Sequence, residues 1–297
     1  MGIHTKSNKI MQIIAHTVLF IVSALAVIPF WLLIASSLSD AFDVTKSGYQ
    51  FIPKNISFEA YQYIFQEWTQ IGRAYGVTVL VSVLGTVLSV IMVSMLAYGL
   101  IQKDIKGVNA VFIFVLITML FNGGVVPTYL VYNNLLKVKN TIWGLILPNL
   151  LMSGFTVILV KNYFQQSIPE ELIEAAKIDG CGHFRIYFKM ILPLSKPILA
   201  TVGLLSAVSY WNDWTNGLYY VTDEKLYSIQ LLLNKMNENI LFMANNSQNM
   251  MGVDMSNMPS ATIRMAIAVV AILPIIIAYP FFHKYFAKGL TMGAVKG

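Results

Sequence analysis

Between two apolar runs the chain carries Glu170-Glu171-Leu172-Ile173-Glu174-Ala175-Ala176-Lys177-Ile178-Asp179-Gly180, and then Met190-Ile191-Leu192-Pro193-Leu194 up to Pro197. A short charged stretch of this kind can make charge-assisted hydrogen bonds and close contacts with another protein. Glu170, Glu171 and Glu174 stand near the start of a helix, where the macrodipole favours negative charge, and each can meet a cationic partner. Leu172, Ala175, Ala176 and Asp179 share one face at i, i+3, i+4 and i+7, and the two alanines keep that face low. Ser167 and Glu170 have capping-box spacing, and Pro169 suits a first helical turn. Gly180 suits a left-handed stop. A helix of about ten residues is too short to be stable alone and needs a surface to lie on. A second amphipathic piece, about His183 to Leu192, leads back toward apolar sequence, and Pro193 and Pro197 limit it. Spacing alone leaves a docking helix and a solvated loop helix level.

Other chemistry is thinly provided for. No Gly-x-x-x-x-Gly-Lys-Ser/Thr occurs, so the chain has no phosphate-cradling loop of its own. No paired histidines or cysteines stand at metal-ligand spacing. Cys181 is the only cysteine, which excludes an intrachain disulfide, and beside Gly180 it reads as a small structural residue. Ion-coupled carriers and membrane enzymes need titratable groups inside the bundle. Within the apolar runs Asp213 is the one carboxylate and the candidate, in Trp211-Asn212-Asp213-Trp214. Trp faces can stack on sugar rings, and Asn and Asp can bond hydroxyls; the alternative is an interfacial aromatic belt.

The elements that position these groups are membrane helices. Charged residues make up 11% of the chain, under half the roughly 25% of soluble domains. Hydrophobic residues make up 57%, and mean hydropathy is +0.66, so the chain reads as an integral membrane protein with lipid as its solvent. Six spans are expected: residues 10–38, 74–101, 108–132, 141–160, 197–221 and 262–282. The first is too long for a signal-peptide core, although Ala24-Leu25-Ala26 resembles a cleavage site. A short interfacial helix is expected where Phe58, Tyr61, Ile64, Phe65 and Trp68 recur at helical spacing. Asn122-Gly123-Gly124 and Pro127 should kink or unwind the third span, which a membrane tolerates where backbone faces protein or a cavity. Residues 222–261 read as a polar loop rich in Asn and Met.

Lys and Arg near span ends set orientation. With the N-terminus inside, the inner set is Lys6, Lys9, Lys103, Lys106, Lys161, Lys177, Arg185, Lys189, Lys196, Lys284, Lys288 and Lys296. The outer set is Lys46, Lys54, Arg73, Lys137, Lys139, Lys225, Lys235 and Arg264. The excess places both termini and the segment 161–196 in the cytoplasm. The net charge of +6 then reflects positive inner loops rather than nucleic-acid binding.

The order Glu174-Ala175-Ala176, Gly180 and then Met190-x-Leu192-Pro193 resembles the EAA motif of the permease subunits of binding-protein-dependent ABC importers. Met190 stands where that family usually has isoleucine, an apolar exchange of similar volume. Asp179 before Gly180, and Leu192-Pro193-Leu194 with Pro197, resemble the carbohydrate branch and its MalG-like subunits. Asn122-Gly123-Gly124-Val125-Val126-Pro127-Thr128-Tyr129, Trp211-Asn212-Asp213-Trp214 and the ending Gly293-Ala294-Val295-Lys296-Gly297 resemble its LplC- and YtcP-type subgroup, associated with complex oligosaccharides.

The resemblance implies an all-α, six-span fold of the type I ABC importer kind. Its parts would be an N-terminal tail, first span and outer segment (1–72), a transmembrane core (73–288) holding the coupling loop 161–196, and a cytoplasmic tail (289–297). It implies a non-enzymatic permease of a bacterial cell membrane that binds no cofactor itself. Its partners would be a related permease, two cytoplasmic ATPase subunits carrying ATP and Mg, and an extracellular solute-binding lipoprotein. Glu174, Ala175, Ala176, Asp179, Gly180, Leu192 and Pro193 would couple to the ATPase. Trp211, Asn212, Asp213 and Trp214 would be candidates for the substrate pathway, although in the maltose-type pair the sugar lies mainly on the partner permease. A loop between spans five and six, here 222–261, would enter the binding protein, and the tail would reach the ATPase dimer. An importer of another solute and an ion-coupled carrier are the rival functions.

Overall fold

The computed structural model describes residues 6–246 and 260–291. The described residues form helices and no strand, with one isolated antiparallel bridge between Ser39 and Ile56. In chain order the first helices are α1 (Lys6–Ser37), α2 (Ala41–Ser47), α3 (Glu59–Gln66), α4 (Trp68–Leu100), α5 (Val108–Leu120), α6 (Val125–Leu130), α7 (Ile142–Ile146) and α8 (Gly154–Ser167). They are followed by α9 (Glu170–Ile178), α10 (His183–Ile186), α11 (Leu192–Leu194), α12 (Lys196–Trp211), α13 (Thr215–Tyr220), α14 (Ile229–Asn246) and α15 (Ala261–Thr291). Wide π-type turns continue α6 over Val131–Leu135 and α10 over Tyr187–Ile191.

Among the described residues two unbroken helical stretches are long and apolar enough to cross a bilayer, Met11–Ser37 and Trp68–Leu100. Val108–Leu120 and Ala261–Ile277 are shorter apolar helices. The expected third and fourth spans are each interrupted. Helix α5 stops where Phe121 turns extended and Gly124 adopts φ +82°. The Asn122 carboxamide oxygen accepts the Gly124 N–H at 2.9 Å, a local bond that competes with helix. The fourth run breaks between α7 and α8 at Pro148, which lacks an N–H, and Asn149, which sits at φ +61°. The expected polar loop 222–261 is helix from Ile229 to Asn246, and its residues 247–259 lie outside the described residues.

The chain divides into two units, Met1–Thr69 with Lys235–Leu273, and Gln70–Asn234 with Pro274–Gly297. In the first, the segment after α1 folds back on itself. Asp40 N–H bonds the Asn55 carbonyl at 3.2 Å, and Ser57 N–H bonds the Leu38 carbonyl at 2.9 Å. The Tyr61 hydroxyl lies 2.8 Å from Ser37 Oγ and ties α3 to the end of α1. Helix α3 buries Ala60 and Ile64 while Phe58, Phe65 and Trp68 stay exposed, so the apolar stripe expected there only partly faces inward.

In the second unit the main core draws on α4, α8, α9 and α12, with Phe164, Ile186, Ile191 and Ile198 fully buried. Small residues let α4 and α12 approach: Ser89 Oγ and Ser206 Oγ lie 3.1 Å apart. The break between α7 and α8 leaves carbonyls without helical partners, a costly state away from water. Three side chains take them. Tyr210 donates to Ile146 at 3.0 Å, Tyr132 to Leu147 at 3.3 Å and Asn216 to Pro148 at 2.9 Å.

Candidate coupling site

Helix α9 is short because both its ends are fixed by special residues. Pro169 is its N-cap, with φ −57° and ψ 134°. The expected capping box does not form, and the N-cap makes no side-chain cap bond. Ser167 is the last residue of α8, and the rigid Pro169, rather than a hydroxyl, turns the chain into α9. At the other end Gly180 sits at φ +77°, where a β-carbon would be strained. Its N–H reaches the Lys177 carbonyl at 3.0 Å, and the Cys181 N–H reaches the Ala176 carbonyl at 2.9 Å. This is the two-bond Schellman stop, in which a small apolar residue beyond the glycine packs back on the helix. Cys181 does so, half-buried against the core.

One flank of α9 holds it to the protein. Ile173 and Ala176 join the main core, with Ala176 only 7% exposed. Glu171, Glu174, Ala175 and Ile178 face outward at i, i+3, i+4 and i+7, and Ile178 is 87% exposed. The shared face expected from Leu172, Ala175, Ala176 and Asp179 is therefore divided. Ala176 packs inward, while Leu172, Ala175 and Asp179 are open.

Past Gly180 the chain runs back through α10, the wide turn and α11. The wide turn closes with the Leu192 N–H on the Tyr187 carbonyl, one residue before Pro193. A proline ring collides with the carbonyl four residues earlier, and a widened turn relieves that collision. Leu192 is half-buried against the core and Pro193 is exposed. Met190 also packs against the core. At buried Ser195 the direction changes, and His183–Leu194 and Lys196–Trp211 meet at 82°. Pro197 lies in the first turn of α12.

The turn that follows α4 closes over α9. Lys103 Nζ lies 2.7 Å from Glu170 Oε1 and Lys177 Nζ lies 3.0 Å from Asp104 Oδ2. Asp104 Oδ2 is also 3.7 Å from His183 Nε2, across Gly180. The Glu170 hydrogen bond, then its charge, holds the Lys103 ammonium above the usual lysine range. The Lys177 hydrogen bond is the largest of the contributions that keep the Asp104 carboxyl below the usual carboxylate range. Glu174 adds to the negative field at Lys103 and makes no ion pair among the described residues.

Trp211-Asn212-Asp213-Trp214 forms the corner between α12 and α13. Trp211 is buried edge-on to Tyr75, with ring centroids 5.8 Å apart. Asn212 Nδ2 donates to the Val208 carbonyl of its own helix at 3.0 Å. Asp213 Oδ1 accepts the N–H groups of Thr215 and Asn216 at 3.2 and 3.3 Å and so caps α13. Trp214 and Asn212 are exposed. Much of the hydrogen-bonding capacity expected for a sugar is thus directed at the corner itself.

The family model described as "Binding-protein-dependent transport system inner membrane component" matches residues 105–292. The chain belongs to that family. The polygalacturonan/rhamnogalacturonan transport system permease protein YtcP of Bacillus subtilis is 38% identical over 98% of this chain and 99% of its own length. Protein LplC of the same organism is 36% identical over 99% of this chain and 97% of its own. Among solved structures, a bacterial ABC transporter involved in import of the acidic polysaccharide alginate holds a chain that superposes with a TM-score of 0.80. That chain is 29% identical, over 96% of this one and 100% of itself.

The permease is thus a membrane component of an ABC importer, and ATP hydrolysis belongs to a separate subunit. Its helix–glycine–helix loop brings Glu174, Ala175, Asp179 and Gly180 to one exposed surface, and Leu192 and Pro193 lie in the return arm. The clasp by Lys103 and Asp104 was not read from the sequence, because its bonds join residues 67 and 73 positions apart. The one signal was opposite charge order: Lys103-Asp104 against Glu170 and Lys177. The ending Gly293 to Gly297 and residues 292–297 of the tail lie outside the described residues.

Proposed function

We propose that this permease is one half of a heterodimeric pore that imports an oligosaccharide, with its energy taken from two cytoplasmic ATPase subunits that bind ATP and Mg. The chain itself binds no cofactor. A solute-binding lipoprotein delivers the sugar outside, and rocking of the two permease halves exposes it alternately to each side. The single observation that carries this reading is α9. It is a nine-residue helix anchored by one flank, stopped by a left-handed glycine, and presenting Glu171, Glu174, Ala175 and Ile178 to a partner. Glu174 makes a charge-assisted bond to the ATPase, Ala175 sets the closeness of approach, and Gly180 sets the turn.

The permease has six spans with both termini in the cytoplasm, supported by the Lys and Arg distribution. Residues 1–72 form the tail, first span and outer segment, 73–288 the translocating core with the coupling loop 161–196, and 289–297 a cytoplasmic tail at the ATPases. Asn212 and Trp214, whose exposure supports the assignment, are the members of the Trp-rich corner assigned here to the solute pathway. The solute carries uronic acids. Support comes from the names of YtcP, tied to polygalacturonan and rhamnogalacturonan, and of the alginate importer.

The test is uptake into proteoliposomes holding both permeases and the ATPases, with the binding protein outside. Oligogalacturonides should enter only with internal ATP, and neutral raffinose or maltotriose should not. Raffinose uptake in place of oligogalacturonides would overturn the solute assignment. Uptake that follows an ion gradient without ATP would overturn the importer assignment.

A further inference from the structure

Helix α9 is lightly held for a part that must carry force. Two buried side chains, Ile173 and Ala176, fix its inner flank, and an alanine contributes little burial. A short cylinder resting on such a narrow strip can roll about its own axis. The turn after α4 opposes that roll at two points. Glu170 and Lys177 stand two helical turns apart on one flank, and the consecutive residues Lys103 and Asp104 reach them with opposite charges. Asp104 extends the hold past Gly180 to His183, so a single carboxylate faces both arms of the helix–glycine–helix loop.

We propose that Lys103 and Asp104 are positioning residues that hold α9 in register with α4, so that a displacement imposed on α9 moves α4 as well as α12. The proposal rests on the reading of α9 as the coupling helix. The pairs are exposed and so add little to folding stability. Their value is geometric: two tethers at opposite ends of α9 fix its rotation, which a hydrophobic contact does not. Charge order gives the arrangement a direction. Reversing one partner places like charges face to face, and reversing both restores attraction with the opposite polarity.

The experiment compares Asp104→Lys, Lys177→Asp and their double reversal, with Lys103→Glu and Glu170→Lys as a second set, in the complete reconstituted importer. Oligogalacturonide uptake and ATP hydrolysis are measured together. Each single reversal should lower solute moved per ATP at least fivefold while the ATPase still co-purifies, and each double reversal should recover at least half of the wild-type ratio. A single reversal with wild-type ratio overturns the proposal, and so does a double reversal no better than its parents. Failure of the wild-type complex to take up oligogalacturonides overturns the solute assignment alone. The reversals are then read as loss and recovery of binding-protein-stimulated ATP hydrolysis. An ATPase that co-purifies with none of the complexes overturns the coupling reading itself.

Discussion

The Tyr210 hydroxyl donates to the Ile146 carbonyl at 3.0 Å, and the Tyr210 ring fills the place where a β-carbon on Gly85 would stand. One side chain thus locks α12 to α4 and also pairs a carbonyl released by the break between α7 and α8. Tyr210→Phe should keep the packing and strand that carbonyl, at a cost of about 1–3 kcal/mol. Gly85→Val should push the ring away, at about 1–3 kcal/mol or more. Thermal unfolding in detergent, followed by near-ultraviolet circular dichroism, should show both losses, the valine variant the larger.

The two alanines of the loop should separate cleanly. Ala176→Leu places three more carbons in a filled core and should cost about 1–3 kcal/mol, lowering the amount of permease in the membrane. Ala175→Leu meets solvent in this chain, so membrane levels should match wild type while uptake falls more than tenfold through a blocked docking face. Equal uptake by Ala175→Leu and wild type would remove Ala175 from the coupling surface.

Gly180 tests conformation against space. Its left-handed φ disfavours a β-carbon by about 1–2 kcal/mol, yet a β-carbon there touches nothing in this chain. Asn tolerates the left-handed region better than β-branched Val. If the turn is what matters, Gly180→Asn should keep a large part of uptake and Gly180→Val should lose it, with both inserted normally. Equal loss in both would mean that the partner needs the empty space.

The two lysine–carboxylate pairs of the clasp should be indifferent to pH near neutrality and sensitive to salt. Asp104 has a lowered pKa, so its contribution is complete above the usual carboxylate value and disappears as pH falls through the lowered one. Lys103 has a raised pKa, so its contribution is complete below the usual lysine value and disappears as pH rises through the raised one. Between about pH 5 and about pH 9 neither changes. Screening shortens from about 10 Å at 0.1 M salt to about 3 Å at 1 M. In a His183→Gln background, which removes the imidazole facing Asp104, amide exchange over residues 170–178, corrected for intrinsic rates, should be level across that pH range and faster at 1 M salt.

Legibility followed the range of the interaction. The helix over Glu170–Ile178, its stop at Gly180 and the interruption at Asn122-Gly123-Gly124 are local, set by caps and backbone freedom within a few residues, and all were readable. The inward turn of Ala176 was not, because spacing puts it on the face of Ala175 and Leu172, and the core it joins is assembled from α4, α8, α12 and the segment after Gly180. The break at Pro148 was half readable. Pro148 marks it, but the three side chains that make it tolerable, Tyr132, Tyr210 and Asn216, come from other elements. The corner at Trp211–Trp214 was partly readable for a different reason: Asp213 is as apt for capping a helix as for binding a sugar, and composition does not separate the two.

The 82° meeting at Ser195 makes a bell crank of the two helical stretches around it. At 1.5 Å per residue the arm His183–Leu194 is about 18 Å long and the arm Lys196–Trp211 about 24 Å. Were they to turn as one piece about Ser195, a sideways push at the His183 end would become a swing at the Trp211 end, enlarged by about a third. Under the coupling role proposed for the loop, a stroke of a few ångströms there would reach the aromatic corner with its direction turned through nearly a right angle and its amplitude increased.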